Sequence, residues 1–362
     1  MIAMKNFLQK KNVIISLQRY GIDAPSAMSK GLFCSLLIGT ILNTIGSLSA
    51  VPFLTDPIAR VMGNEYTVGG LAMVMSGPAM AVAIGSALKA PVLVTYSLLA
   101  VGLAANAAGG MGGPLAVLVV SILTAEIGKL AAGETRVDII VTPLITTSAG
   151  MALTYFLAPL LGEVATIVSN VIGWGTEQQP FIAGILVSSL VGLALTMPIS
   201  SAAICAALGI TGLAGGAALA GCCAQMVGFA VISYKQNGVG GLISQGLGTS
   251  MLQIPNIVRN PRILIAPTLT SVITGPVATC IFRLEMNGAA INSGMGTCAL
   301  CGQIGVFQGW VDQIVSGNKA SITAFDWTGL ILISFILPML LAPAINNICL
   351  KCGLVKEEEF KL

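Results

Sequence analysis

RNPRILIAPTLTSVITGPVATCIFRLEMNGAAINSGMGTCALCGQIGVFQGW, residues Arg259 to Trp310, is the stretch on which the reading of this chain turns. It opens on a basic, proline-containing loop, continues as an apolar run from Ile263 to Phe282, and meets the charged residues Arg283 and Glu285. The next run, Met286 to Trp310, holds too much Gly, Asn, Gln and Ser for a plain lipid-facing helix. It sets a carboxylate, amides and pliable backbone between apolar walls. Holding a polar solute inside a bilayer requires that combination, because every polar group there must find its partner within the protein.

The rest of the chain supplies the walls. Of 362 residues, 55% are hydrophobic and 9% charged, with a mean hydropathy of +0.92. A soluble surface needs about 25% charged residues, so a polytopic membrane protein is expected. The apolar runs are long and lack strand-length alternation, which excludes an outer-membrane barrel and leaves an all-α fold. Forty-three glycines and sixteen prolines point to close helix packing and several broken helices. The net charge of +3 is spread along the loops, and no nucleic-acid partner is expected. There are nine cysteines and no histidine. The C-x-x-C pairs Cys298/Cys301 and Cys349/Cys352 could hold zinc only as four thiolates. The preferred reading makes the cysteines small apolar residues, so no metal and no cofactor is expected. Phosphate-loop, nucleophile-elbow, zincin and dinucleotide motifs are missing from the sequence, and no catalytic residue is assigned.

Apolar stretches fall at 31–55, 67–88, 90–108, 114–132, 139–161, 181–208, 212–233, 263–282, 286–310 and 327–350. They divide the chain into an N-terminal cytoplasmic or interfacial arm (1–30), one membrane-embedded domain (31–350) and a cytoplasmic tail (351–362). Lys5, Lys10, Lys11, Arg19 and Lys30 precede the first span and put the N-terminus in the cytoplasm. Lys351, Lys356 and Lys361 argue the same for the C-terminus, although three glutamates share that tail. If every stretch before Lys235 crossed, the basic loop 234–262 would lie outside, against the positive-inside rule. The conflict vanishes if one earlier stretch and 286–310 are re-entrant, which leaves about eight crossings, within two either way. Candidates for the earlier one are 106–114, 141–150 and 197–212. Segment 163–179 has two acids and no base and suits an external interfacial helix. The glycine-rich loop 234–255 reads either as a gate or as a surface connection. A short internal similarity aligns DIIVTPLITT (138–147) with RILIAPTLTS (262–271), Pro143 over Pro267 and Thr146 over Thr270.

A charge inside an apolar stretch costs about 2.5–3.5 kcal/mol on insertion scales, so each needs a partner or a purpose. Glu126 has Lys129 three residues on, a pair expected to snorkel at the cytoplasmic end. Glu285 is followed by Asn287, Asn292 and Ser293, whose amides and hydroxyl suit a sugar, since each sugar hydroxyl both donates and accepts. Against that stands a simple boundary ion pair with Arg283. Gln225 and Gln303 are further candidates, because a buried primary amide demands several partners, and Thr146 and Thr147 complete the substrate-binding set.

The run 198–305, which opens on PISSAAICAALGITG and is most specific from IPNIVRNPRI through LEMNGAAINSGMG, resembles the stand-alone enzyme IIC-like membrane proteins of the phosphotransferase system. Within them it resembles the branch described as PfoR-like, which is linked to regulation of toxin expression. The resemblance covers nearly the whole chain. It implies 8–10 transmembrane helices with two re-entrant hairpins, scaffold and transport parts, a homodimer, and a bacterial inner-membrane permease moving a small polar solute, a sugar, by alternating access. A separate IIB protein would be the partner for any phosphotransfer. A glutamate holds the sugar in such proteins, and Glu285 in RLEMNG is the matching position, although the Glu-Pro of the family motif and the assisting histidine are missing. The alternative is a membrane-embedded sensor using the same fold without phosphotransfer.

Overall fold

A computed structural model describes residues 7–49, 51–61 and 63–362. The described residues are mostly helical, and among them is one two-stranded hairpin, Ala59–Val61 against Asn64–Tyr66. Among the described residues six helices are long and apolar enough to cross a membrane: Gln18–Gly46, Gly110–Ala131, Asp138–Thr176, Gly212–Ile232, Pro261–Ile281 and Ala324–Lys351. Val68–Val74 and Ser76–Ala87 form a pair bent by 50°, a seventh span if the two are one broken helix and a re-entrant loop if they are not, and Val92–Ala108 and Pro180–Thr196 are shorter apolar helices. The all-α polytopic membrane architecture therefore holds.

Several boundaries move. The helix that carries the first apolar stretch begins at Gln18, so the second half of segment 1–30 is helical as well. Segment 163–179 does not form a separate interfacial helix. It continues the 39-residue helix Asp138–Thr176, which contains Pro143 and Pro159 and is about 58 Å long at 1.5 Å per residue, nearly twice a hydrocarbon core. The same continuity removes 141–150 from the candidate breaks. The stretch 181–208 does break, into Pro180–Thr196 and the short helix Ser201–Ala207.

The chain forms two compact units, Met1–Val164 and Ala165–Leu362. Within the first, Glu126 and Lys129 pair at 2.9 Å, as their spacing predicts. The lysine does not reach water, however: its side chain is 1% exposed and its ammonium also donates to the Asn12 carbonyl. Thr146 back-bonds to the Thr142 carbonyl at 2.7 Å, and Thr270, its aligned counterpart in the second unit, does the same to Ala266 at 2.8 Å.

In the second unit Gly212–Ile232 is the axis, buried from Gly215 to Ala230. Its small residues let neighbours approach to backbone contact. A Cβ on Gly221 would overlap the Ser188 carbonyl, and one on Gly216 the Leu284 carbonyl. The segment after Leu284 follows this helix inward. Met286 forms a two-way bridge with Gly212 (3.0 Å each way), Ser293 lies against Gly215, Gly296 against Cys222, and Thr297 against Met226. The chain then turns through Ala299 and Leu300, both left-handed (φ 45° and 60°), and returns as the helix Cys301–Val315. On the return Gly302 meets Leu219, Gly305 meets Met286 and Gly309 meets Asn287. The expected run 286–310 is thus two limbs, a 3₁₀-rich descent and a helical return.

The loop 234–262 closes the far end and is tied down by the C-terminal tail. Asn237, Gln253 and Asn256 bond the carbonyls of Phe360 and Lys361 at 2.8–3.1 Å. Asn260 reaches Glu359, and Lys235 pairs with Glu357. Phe360 is 1% exposed in a cluster with Phe229, Ile257 and Ile263.

Candidate functional site

Residues Phe282 to Ala289 are unwound, and this is where the chain presents Glu285. One carboxylate oxygen, Oε2, accepts from Asn287 Nδ2 at 2.8 Å and from Gln313 Nε2 at 2.9 Å. Asn287 Oδ1 in turn accepts from the Gly212 N–H at 3.1 Å, which fixes the amide's orientation. The site sits among helix ends: the C-terminus of Pro261–Ile281 and the N-termini of Pro180–Thr196, Gly212–Ile232 and Ala324–Lys351. The three N-termini favour negative charge nearby. Glu285 thus lies where these helices terminate.

No ion pair joins Glu285 to Arg283 among the described residues. Arg283 adopts a left-handed φ of 45°, which turns the chain between the two charges and leaves the guanidinium exposed. A non-glycine residue in this region is strained, and such strain gathers at functional positions.

Glu285 and Arg283 border two cavities. One, of about 290 Å³, is polar and includes Gln313, Asn318, the 2.7 Å ion pair Lys319–Asp326 and the indole of Trp310. The other, of about 510 Å³, is lined by Gln179, Pro180, Phe181, Leu213, Thr279 and Cys280. Small-molecule sites run from about 300 to 1,000 Å³.

Of the residues singled out from sequence, the structure brings Glu285 and Asn287 together. Asn292 lies farther along the descending limb against Gly305, and Ser293 spends its hydroxyl on the Ile210 carbonyl at 2.7 Å. Gln225 is fully buried and joins a separate network, accepting from Thr196 and donating to Thr268, both at 3.2 Å. Gln303 donates to Ser334 at 3.0 Å, while its carbonyl oxygen is buried without a partner. Thr146 bonds its own helix in the other compact unit, where Thr147 also lies.

Gln313 is the residue that sequence reasoning missed. Its signal was available: Gly305, Gly309 and Gln313 fall four apart on one helical face, and that face meets Met286, Asn287 and Glu285 in turn.

None of the curated proteins or solved structures compared with this chain matches it. The model of the family described as phosphotransferase system, EIIC, matches residues 22–362. With that match covering almost the whole chain, on an all-helical polytopic architecture, the protein belongs to the phosphotransferase system EIIC family.

Proposed function

We propose that this EIIC protein is a permease that binds a sugar at Glu285 and carries it across the bacterial inner membrane by alternating access, in company with a separate IIB protein. One observation carries the reading. A carboxylate bordering two cavities is held through a single oxygen by two neutral amides, with a cationic neighbour that does not neutralise it. The second oxygen is left to accept from a solute hydroxyl, and Arg283 can donate to the same group, which suits a polyol better than an apolar or cationic ligand.

The two-limbed segment 286–315 is read as one re-entrant hairpin and 180–211 as the other. Both penetrate to the level of Gln225 and Met226, where Thr196 and Thr297 meet the loop residues Ser250 and Gly246. This arrangement leaves eight crossings, with loop 234–262 and both termini in the cytoplasm, where a IIB partner would meet them. A homodimer is carried over from the family resemblance.

The test is thermal stability of the purified protein against a panel of sugars and polyols, since binding raises the melting temperature by mass action. At least one sugar stabilises the wild type and fails to stabilise Glu285→Gln, whose basal melting temperature is little changed. Equal stabilisation of both proteins removes Glu285 from the site.

A further inference from the structure

In the first compact unit, four lysines converge on a cavity of about 370 Å³: Lys10 and Lys11 from the N-terminal arm, Lys89, and Lys129. Asn12, Pro91, Ala132, Gly133 and Glu134 complete the lining. Two of the lysines are spoken for, Lys11 by Glu134 and Lys129 by Glu126. Lys10 and Lys89 are exposed and enter no ion pair among the described residues, so the cavity keeps an unneutralised positive rim.

Lys89 is conspicuous for its backbone. It follows the helix Ser76–Ala87 with a left-handed φ of 56°, and its N–H bonds Ser86 while the next N–H bonds Gly85. This is the helix-ending turn whose left-handed position glycine fills most cheaply. A lysine in this position carries a conformational cost that glycine would not, and it sets a cationic side chain at the mouth of the cavity.

The surroundings indicate what the charge meets. The cavity lies where apolar helices stop: beyond Ala87, before Val92 and beyond Ala131. The arm that brings Lys10 and Lys11 also carries Ile15, 82% exposed, and Leu17, 70% exposed. Bare aliphatic side chains beside lysines are the pattern of a segment lying in the lipid interface. Basic pockets at span ends bind acidic head groups.

We infer that this lysine cavity is a binding site for the phosphate of an anionic lipid, with the apolar residues of the arm seated among the acyl chains. The site is independent of the solute site at Glu285.

The test uses the full chain in detergent, with phosphatidylglycerol, phosphatidylcholine and inorganic phosphate as probes, read by thermal unfolding and by native mass spectrometry of retained lipid. Phosphatidylglycerol stabilises the wild type; phosphatidylcholine and inorganic phosphate at the same concentration do not. The double variant Lys10→Gln/Lys89→Gly keeps the helix-ending turn, so its basal melting temperature is not lowered. Its affinity for phosphatidylglycerol falls about thirtyfold, about fivefold per lysine. The inference is overturned if phosphatidylglycerol does not stabilise the wild type, if the double variant binds it equally well, or if inorganic phosphate reproduces the shift, which would mark a free-phosphate site instead. Should the double variant be less stable than the wild type, the charge-only change Lys10→Gln decides: unchanged phosphatidylglycerol affinity in that variant overturns the inference.

Discussion

Two glutamates of this chain have a cation within three residues in sequence, and their fates differ. Glu126 and Lys129 lie on one face of an unbroken helix and pair at 2.9 Å, with the lysine withdrawn from water. Glu285 and Arg283 sit on an unwound segment where the arginine's left-handed backbone separates them, and two amides take the cation's place. The first pair closes its electrostatics within the protein. The second holds a charge in position without neutralising it, which is the condition in which a carboxylate is available to a solute.

The largest effect that would sharpen this contrast belongs to the closed pair. Lys129→Met strands the Glu126 carboxylate and costs about 3–5 kcal/mol, whereas the double change with Glu126→Gln recovers most of that loss. Denaturation of the single and double variants measures it, and a small cost for Lys129→Met alone would mean that the pair is not closed at all. Next comes Gln313→Leu, which removes one of the two amides on Glu285. Hydrogen bonds to charged groups contribute about 1.5–3 kcal/mol, so sugar affinity falls about tenfold or more in an equilibrium binding assay. An unchanged affinity would leave Gln313 outside the site.

These contrasts were partly legible in the sequence. Charge poverty and long apolar runs gave a helical membrane protein, and the Gly, Asn and Ser content after Met286 gave a broken segment there, as found. The i, i+3 spacing gave the Glu126–Lys129 pair. Its burial was not legible, because it depends on the Asn12 carbonyl, more than a hundred residues away in sequence. Gln313 escaped for a similar reason: its role exists only because Cys301–Val315 doubles back along the descending limb. Glu163 looked like the mark of an external segment, yet a helix that is too long for a bilayer accommodates it without a break. The docking of the tail on loop 234–262 is carried by side-chain amides binding main-chain carbonyls, a pattern with no local sequence signature.

Smaller effects bear on the same comparison. Arg283→Gly relieves the left-handed backbone and, with no ion pair lost, stabilises the fold by up to about 1 kcal/mol. A clear destabilisation in thermal unfolding would reveal an interaction between Arg283 and Glu285. The smallest effect concerns a third acid, Glu134, at the surface. The hydrogen bond and charge of Lys11 hold its carboxyl below the usual range. A depressed value gives stabilisation that is present above the unfolded-state titration and is lost as pH falls through the folded one. Protection of the N-terminal arm from hydrogen exchange therefore weakens in acid, and Glu134→Gln removes that dependence; an identical pH profile in the variant contradicts the assignment.

The central claim, that solute occupies the space beside Glu285, is tested most directly through Cys280, an exposed thiol lining the larger cavity. In a variant retaining this cysteine alone, the rate of maleimide alkylation is measured with and without a sugar that stabilises the protein. Slower labelling with sugar present, and no slowing once Glu285 is changed to Gln, is the expected result. Labelling at the same rate with and without a sugar that demonstrably binds would place the solute elsewhere and contradict the account.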